Sequence, residues 1–225
     1  DCSEHRCKAS MSIMLPMVYI RDVEKAVQAA DSAIKFTQAG IYPSSGQCIN
    51  STDTQSVAFT DSVAFADIDG DGDVDMLIGN HGSANELLIN SGDGTFTAVH
   101  GFPGGSADTR SVAFADFDGD GRVDALIGNN GTNELLKNMP DGTFYSMDDS
   151  TFPGGSANTR SVAFADVDGD GDVDALIGNY YTANELVINS FNSHGIFTAV
   201  HLPGRSGYTR SIACADVDGD GDVDA

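Results

Sequence analysis

Four segments of this chain carry aspartate at every second position. They hold Asp67, Asp69, Asp71, Asp73 and Asp75; Asp116, Asp118, Asp120 and Asp124, with Arg122 in the fourth place; Asp166, Asp168, Asp170, Asp172 and Asp174; and Asp216, Asp218, Asp220, Asp222 and Asp224. Together they contain 19 of the 34 acidic residues. Two carboxylates about 4 Å apart repel by roughly 1–4 kcal/mol, so the spacing predicts a cation among them. Counted from the first aspartate, oxygens at positions 1, 3, 5 and 9 with glycines between them are the hard donor set of calcium, which takes about 6–8 oxygens. Position 7 is expected to offer its backbone carbonyl, which a cation such as Arg122 can do while its side chain points to solvent. Magnesium demands a stricter octahedron, and no soft ligand is present for zinc or copper. An EF-hand would need Glu at position 12, where this chain has Ile78, Ile127 and Ile177. The loop chemistry is that of an EF-hand, but its flanks alternate as strands do.

The elements that must hold these loops repeat with them. The spacing from Asp67 to Asp116 is 49 residues, then 50 to Asp166 and 50 to Asp216. Each unit runs through Ser-Val-Ala-Phe-Ala (62–66, 111–115, 161–165), the aspartate loop, an apolar run closing in Ile-Gly-Asn (78–80, 127–129, 177–179), Asn-Glu and a second apolar run, a turn, and a last short strand such as 96–100 or 197–201. Four short strands per unit of about 50 residues is the make-up of a β-propeller blade. The expected fold is therefore all-β, with units over 62–110, 111–160 and 161–210 and a partial fourth over 211–225. Val and Phe should lie on one face of the first strand and Ala on the other. Three whole units and the start of a fourth are expected to form an open arc, part of a larger propeller, whose ends invite self-association. Residues 1–50 read as a separate leader with an amphipathic helix at about 21–36.

Composition narrows the function. The net charge is −23, and four calcium ions would bring it only to −23 + 8 = −15. Such a surface argues against nucleic acid and against anionic membranes as partners. No apolar run reaches the length of about 18 residues that a membrane span needs. Cys2, Cys7 and Cys48 fall in the leader with their connectivity open, and Cys214, in the place of Phe65, Phe114 and Phe164, reads as a buried free thiol. No nucleophile elbow, zinc-protease helix or phosphate-binding glycine loop is present. His100 and His201 recur, but the middle unit has Met147-Asp148 near their place. The chain is read as non-catalytic.

The pattern Val-Ala-Phe-Ala-Asp-x-Asp-Gly-Asp-Gly-x-Val-Asp-x-Leu-Ile-Gly-Asn, with Gly-Thr-Phe downstream, resembles the FG-GAP/VCBS repeats over about residues 56–225. The resemblance implies calcium-binding propellers such as integrin α heads and several fungal lectins, with seven blades in the parent protein and the calcium loop between the first two strands of a blade. It also implies an extracellular or cell-surface recognition or adhesion module for protein or carbohydrate ligands; the alternative is a non-catalytic propeller appended to a secreted enzyme. Two polar pairs recur as ligand candidates: Thr-Arg before the first strand (Arg110, Arg160, Arg210) and Asn-Glu on the third (Asn85, Asn133, Asn184). The arginines either tie blades together by pairing with carboxylates or form a ring of binding sites.

Overall fold

The computed structural model describes residues 59–105, 108–147, 152–153, 156–190, 196–202, 207–216 and 223. The expected leader helix and Cys2, Cys7 and Cys48 lie outside these residues. The described residues form twelve strands: β1 (Phe59–Ala66), β2 (Asp75–His81), β3 (Glu86–Asn90) and β4 (Phe96–Ala98); β5 (Thr109–Ala115), β6 (Asp124–Thr132), β7 (Glu134–Asn138) and β8 (Phe144–Ser146); β9 (Ser156–Ala165), β10 (Asp174–Asn179), β11 (Glu185–Ser190) and β12 (Ile196–His201). Each group of four is an antiparallel meander, β1-β2-β3-β4 and its two successors, so the architecture is a propeller of four-stranded blades. The aspartate loop joins the first two strands of every blade, where the sequence puts it.

The second strand of each blade explains how the units stack. Residues Asp75–Asn80, Asp124–Asn129 and Asp174–Asn179 are buried throughout, and strand alternation splits their side chains between two cores. Ala125 and Ile127 pack with Leu77 and Leu87 of the first blade. Leu126, between them, packs with Ala175, Ile177 and Val187 of the third. A blade therefore has no solvent face at its second strand. Burying such a side chain contributes about 1.5–3 kcal/mol, and for β6 the two neighbouring blades supply the cover. The first strand obeys the expected alternation: Val112 and Phe114 pack toward the first blade and Ala113 toward the third. On the far face of the first blade, Met76 and Ile78 are buried at 1% and 4% exposure beside Val63, Phe65 and Phe96.

Polar groups fix the register between blades. The Val112 backbone N–H donates to Ser62 Oγ at 3.1 Å, Val162 N–H to Ser111 Oγ at 3.1 Å and Ile212 N–H to Ser161 Oγ at 3.2 Å. The serine that opens each Ser-Val/Ile-Ala run thus satisfies a donor on the next inner strand. Outside the blades, the first residues of β9 pair with the end of β6, Asn130 opposite Asn158. A bridge from Tyr180 to Tyr208 repeats that link between the third blade and the start of the fourth unit. Cys214 is a half-buried free thiol whose pKa burial raises.

The Ile-Gly-Asn motif has a steric cause. A Cβ on Gly128 would lie 2.8 Å from Val162 Cγ1 and 2.9 Å from Thr159 Cγ2, both on the next inner strand. Gly79 and Gly178 stand in the same relation to Thr109/Val112 and Thr209/Ile212. Gly128→Ala should therefore push two blades apart and cost about 1–3 kcal/mol, read as a lowered urea midpoint. An unchanged midpoint would mean that the inner strands do not seat on these glycines.

Candidate functional site

Each aspartate loop is folded by its own side chains. Asp67 accepts from the Gly70 and Gly72 N–H groups at 2.8 and 3.0 Å, and Asp166 accepts from Gly169 and Gly171 at the same distances. Gly70 and Gly72 adopt φ of 78° and 92°, which L side chains rarely tolerate. Oδ1 of position 3 accepts from the N–H of position 5, and Oδ1 of position 5 accepts from that of position 7, in all three loops. These turns engage both oxygens of position 1 and Oδ1 of positions 3 and 5, and leave Oδ2 of positions 3 and 5 for a cation. Oxygens of Asp67, Asp69 and Asp71 lie within 4.8 Å of one another, as do those of Asp116, Asp118 and Asp124 and those of Asp166, Asp168 and Asp174. Asp73 and Asp172 stand at position 7, where the side chain is not needed. Of the fourth loop, Asp216 is described and exposed; Asp218, Asp220, Asp222 and Asp224 lie outside the described residues.

Position 9 has a second role that the ligand pattern did not reveal. Asp75, Asp124 and Asp174 are fully buried. One oxygen of each accepts the N–H of position 2 (Ile68 2.7 Å, Phe117 3.2 Å, Val167 2.8 Å). The other accepts the N–H of an asparagine at or next to the end of the third strand (Asn90 2.8 Å, Asn138 2.6 Å, Asn189 2.8 Å). That asparagine then reaches the preceding blade: Asn138 Nδ2 donates to Ile68 O at 3.0 Å and Asn189 Nδ2 to Phe117 O at 2.6 Å. Loops of successive blades are thereby tied through buried amides. The recurrence of an asparagine 14 or 15 residues after position 9 was the available signal.

A family model for the FG-GAP-like repeat matches three times, over residues 67–127, 116–177 and 166–225. This chain belongs to the FG-GAP-like repeat family. Each match begins on the first aspartate of a loop, so the loops described above mark the family's period. Among solved structures, the chain is similar to a lectin of Agrocybe aegerita, described for its specific recognition of non-reducing terminal N-acetylglucosamine, at 22% identity and a TM-score of 0.44. The likeness covers 64% of this chain and 38% of that lectin, so the chain spans well under half its length. No curated protein matches the chain.

Within this FG-GAP-like chain the second loop differs. The Arg122 side chain does not point to solvent. Its Nη2 donates to Asp120 Oδ2, and its Nε donates to Asn138 O at 2.9 Å. Lys137 Nζ donates to Asp118 Oδ2 and lies 3.1 Å from Asp120 Oδ2. Burial works against both charges. The hydrogen bonds and attraction that join them nevertheless lower the Asp120 pKa and raise that of Lys137.

The recurrent Thr-Arg and Asn-Glu pairs sit at the opposite end of the strands. Asn85 Oδ1 accepts from the Asn80 N–H at 2.8 Å while its Nδ2 donates to Thr109 Oγ1 at 3.0 Å, so this asparagine joins two blades. Arg110 also ties blades: its Nη1 is 2.7 Å from Asp61 Oδ2. Arg160 and Arg210 instead lean on the Tyr180 ring, 5.1 and 5.6 Å from its centroid. Tyr180, Tyr181 and Tyr208 pack together with centroids 4.2–5.1 Å apart, and Tyr181 and Tyr208 are 63% and 67% exposed. Tyr181 has φ 77° where the other blades have Gly82 and Gly131. No expectation from sequence singled out these tyrosines, although Tyr-Tyr in place of His-Gly and Asn-Gly was visible.

Burial raises the pKa of Asp75 and Asp174 above 3.8 and that of Asp124 to about 7, with nearby loop aspartates adding to it. A carboxyl raised in this way holds its proton more tightly folded than unfolded. It therefore favours folding at low pH and opposes it as pH climbs through the folded value. In excess chelator the melting temperature should fall between pH 3.8 and about 7, and a rise over that interval would contradict the burial of these clamps as charged groups.

Proposed function

We propose that the chain is a non-catalytic, extracellular or cell-surface recognition module, stiffened by calcium in its aspartate loops, that takes protein or carbohydrate ligands at the opposite end of its blades. The observation that carries the binding site is the tyrosine cluster. Exposed aromatic rings are normal singly, but here three pack edge-on or tilted against one another with two guanidiniums against one of them. One ring is also held in a left-handed backbone conformation that costs on the order of 1–2 kcal/mol for a non-glycine residue. Strain kept at an exposed position points to use.

The first and third loops fit calcium. Their donors are all oxygen, the Oδ2 atoms of Asp69, Asp71, Asp168 and Asp170 have no protein hydrogen bond or ion pair among the described residues, and their turn geometry is already set. Calcium there would offset the repulsion within each loop and so stiffen the end of the blade that carries the inter-blade asparagines. Extracellular modules with loops of this kind bind at about 10⁻⁴–10⁻³ M, a range that suits the outside of the cell.

Glycan-array and ligand-blot binding should be lost in Tyr181→Gly. That substitution restores the residue of the other blades, so its melting temperature should equal or exceed that of the unaltered chain. Retained binding, or a melting temperature lowered by several degrees, would count against the cluster as the ligand site.

A further inference from the structure

The second aspartate loop departs from its neighbours at a position that the repeat register fixes. Lys137 in β7 occupies the place of Ile89 in β3 and Ile188 in β11, one residue before the inter-blade asparagine in each blade. An apolar residue at that place packs on its neighbours, as Ile89 does beside Leu87 and Leu77. Lys137 instead turns its ammonium into the loop, and Arg122 enters from position 7.

Both cations land on the oxygens that the loop's own turns leave over. Asp118 Oδ1 and Asp120 Oδ1 are engaged by the N–H groups of Asp120 and Arg122. Asp118 Oδ2 receives Lys137, while Asp120 Oδ2 receives Arg122 and has Lys137 3.1 Å away. In the first and third loops the matching Oδ2 atoms are the ones a metal would use. The burial differs accordingly: the Asp118 side chain is 1% exposed beneath Lys137, whereas Asp69 and Asp168 are exposed. The charges agree as well. Five aspartates in the first or third loop carry −5. The second loop carries −4 from its aspartates and +2 from Arg122 and Lys137, and so already contains the compensation that one divalent cation would bring.

We propose that the second loop is a metal-independent site, its cation replaced by the tethered ammonium of Lys137 and guanidinium of Arg122, so that calcium fills the loops on either side and not this one. The contrast with the neighbouring loops rests on the calcium reading given above. A calcium ion entering this loop would have to displace two covalently attached cations from the same oxygens and then sit beside them, where like charges repel.

Calorimetric titration of the metal-stripped full chain with calcium tests this. Asp71→Ala and Asp170→Ala should each remove one calcium per chain, Asp120→Ala should remove none, and the pair Arg122→Asp with Lys137→Ile should add one. Loss of one calcium in Asp120→Ala overturns the proposal. If the unaltered chain takes up no calcium in its first and third loops, the calcium reading fails by itself, and a second measurement still decides the second loop. In excess chelator, Lys137→Met keeps the aliphatic stem but leaves the carboxylates without their partner, and its melting temperature should fall by several degrees. An unchanged melting temperature there overturns the proposal.

Discussion

The buried carboxylate at position 9 is the group on which the rest of the fold depends. Asp75, Asp124 and Asp174 each hold two backbone N–H groups, one at the start of the loop and one at the end of the third strand. Leaving such donors unpaired in a fully buried place costs about 1–3 kcal/mol each. The clamp thus closes the loop into its ring and docks the third strand under it. Only when that strand is docked does its terminal asparagine reach the carbonyl of the preceding loop. Loop shape, blade integrity and blade-to-blade register are consequences of one carboxylate, repeated.

This arrangement divides each blade into two ends with different constraints. At the loop end, polar groups face one another at fixed distances set by the same backbone hydrogen bonds in each blade. At the other end, inter-blade contacts are made by the buried threonines, Asn85 and the glycines beneath them. The residues just beyond are free to differ: His81 with Asp61 and Asp108 at the first interface, Asn130 at the second, and the tyrosines at the third. Side-chain chemistry differs there from one interface to the next, while the threonines and glycines beneath repeat.

The repeat and the aspartate ladder made the blade, its four strands and the placement of the loop legible in the sequence, because period and alternation are set by backbone geometry alone. Val112 toward the first blade and Ala113 toward the third follow from the same rule. What stayed hidden depends on contacts between residues far apart in the chain. Position 9 looked like one more ligand, since an aspartate that binds backbone N–H groups has the same letter as one that binds metal. Asn138 acquires its role only from Ile68, 70 residues earlier. The arginines looked alike as a set, yet Arg110 meets Asp61 while Arg160 and Arg210 meet an aromatic ring. Repetition at one position does not fix the partner across the interface.

The two departures from the repeat, Lys137 for isoleucine and Tyr181 for glycine, show the same physics from opposite sides. Each sits where its equivalents serve packing or backbone freedom alone, and each carries a local cost: an ammonium partly removed from water in one case, a left-handed φ in the other. Lys137 meets its cost within the fold, because Asp118 and Asp120 are already gathered there and need positive charge. Tyr181 is held by its N–H donated to Gly207 O at 3.1 Å and by its ring against Tyr180 and Tyr208, yet most of that ring remains in solvent. A departure compensated inside the molecule is explained by stability. One left largely in solvent, in a backbone conformation that glycine holds in the other blades, is the observation on which the proposed ligand is placed at the tyrosine end and not at the aspartate end.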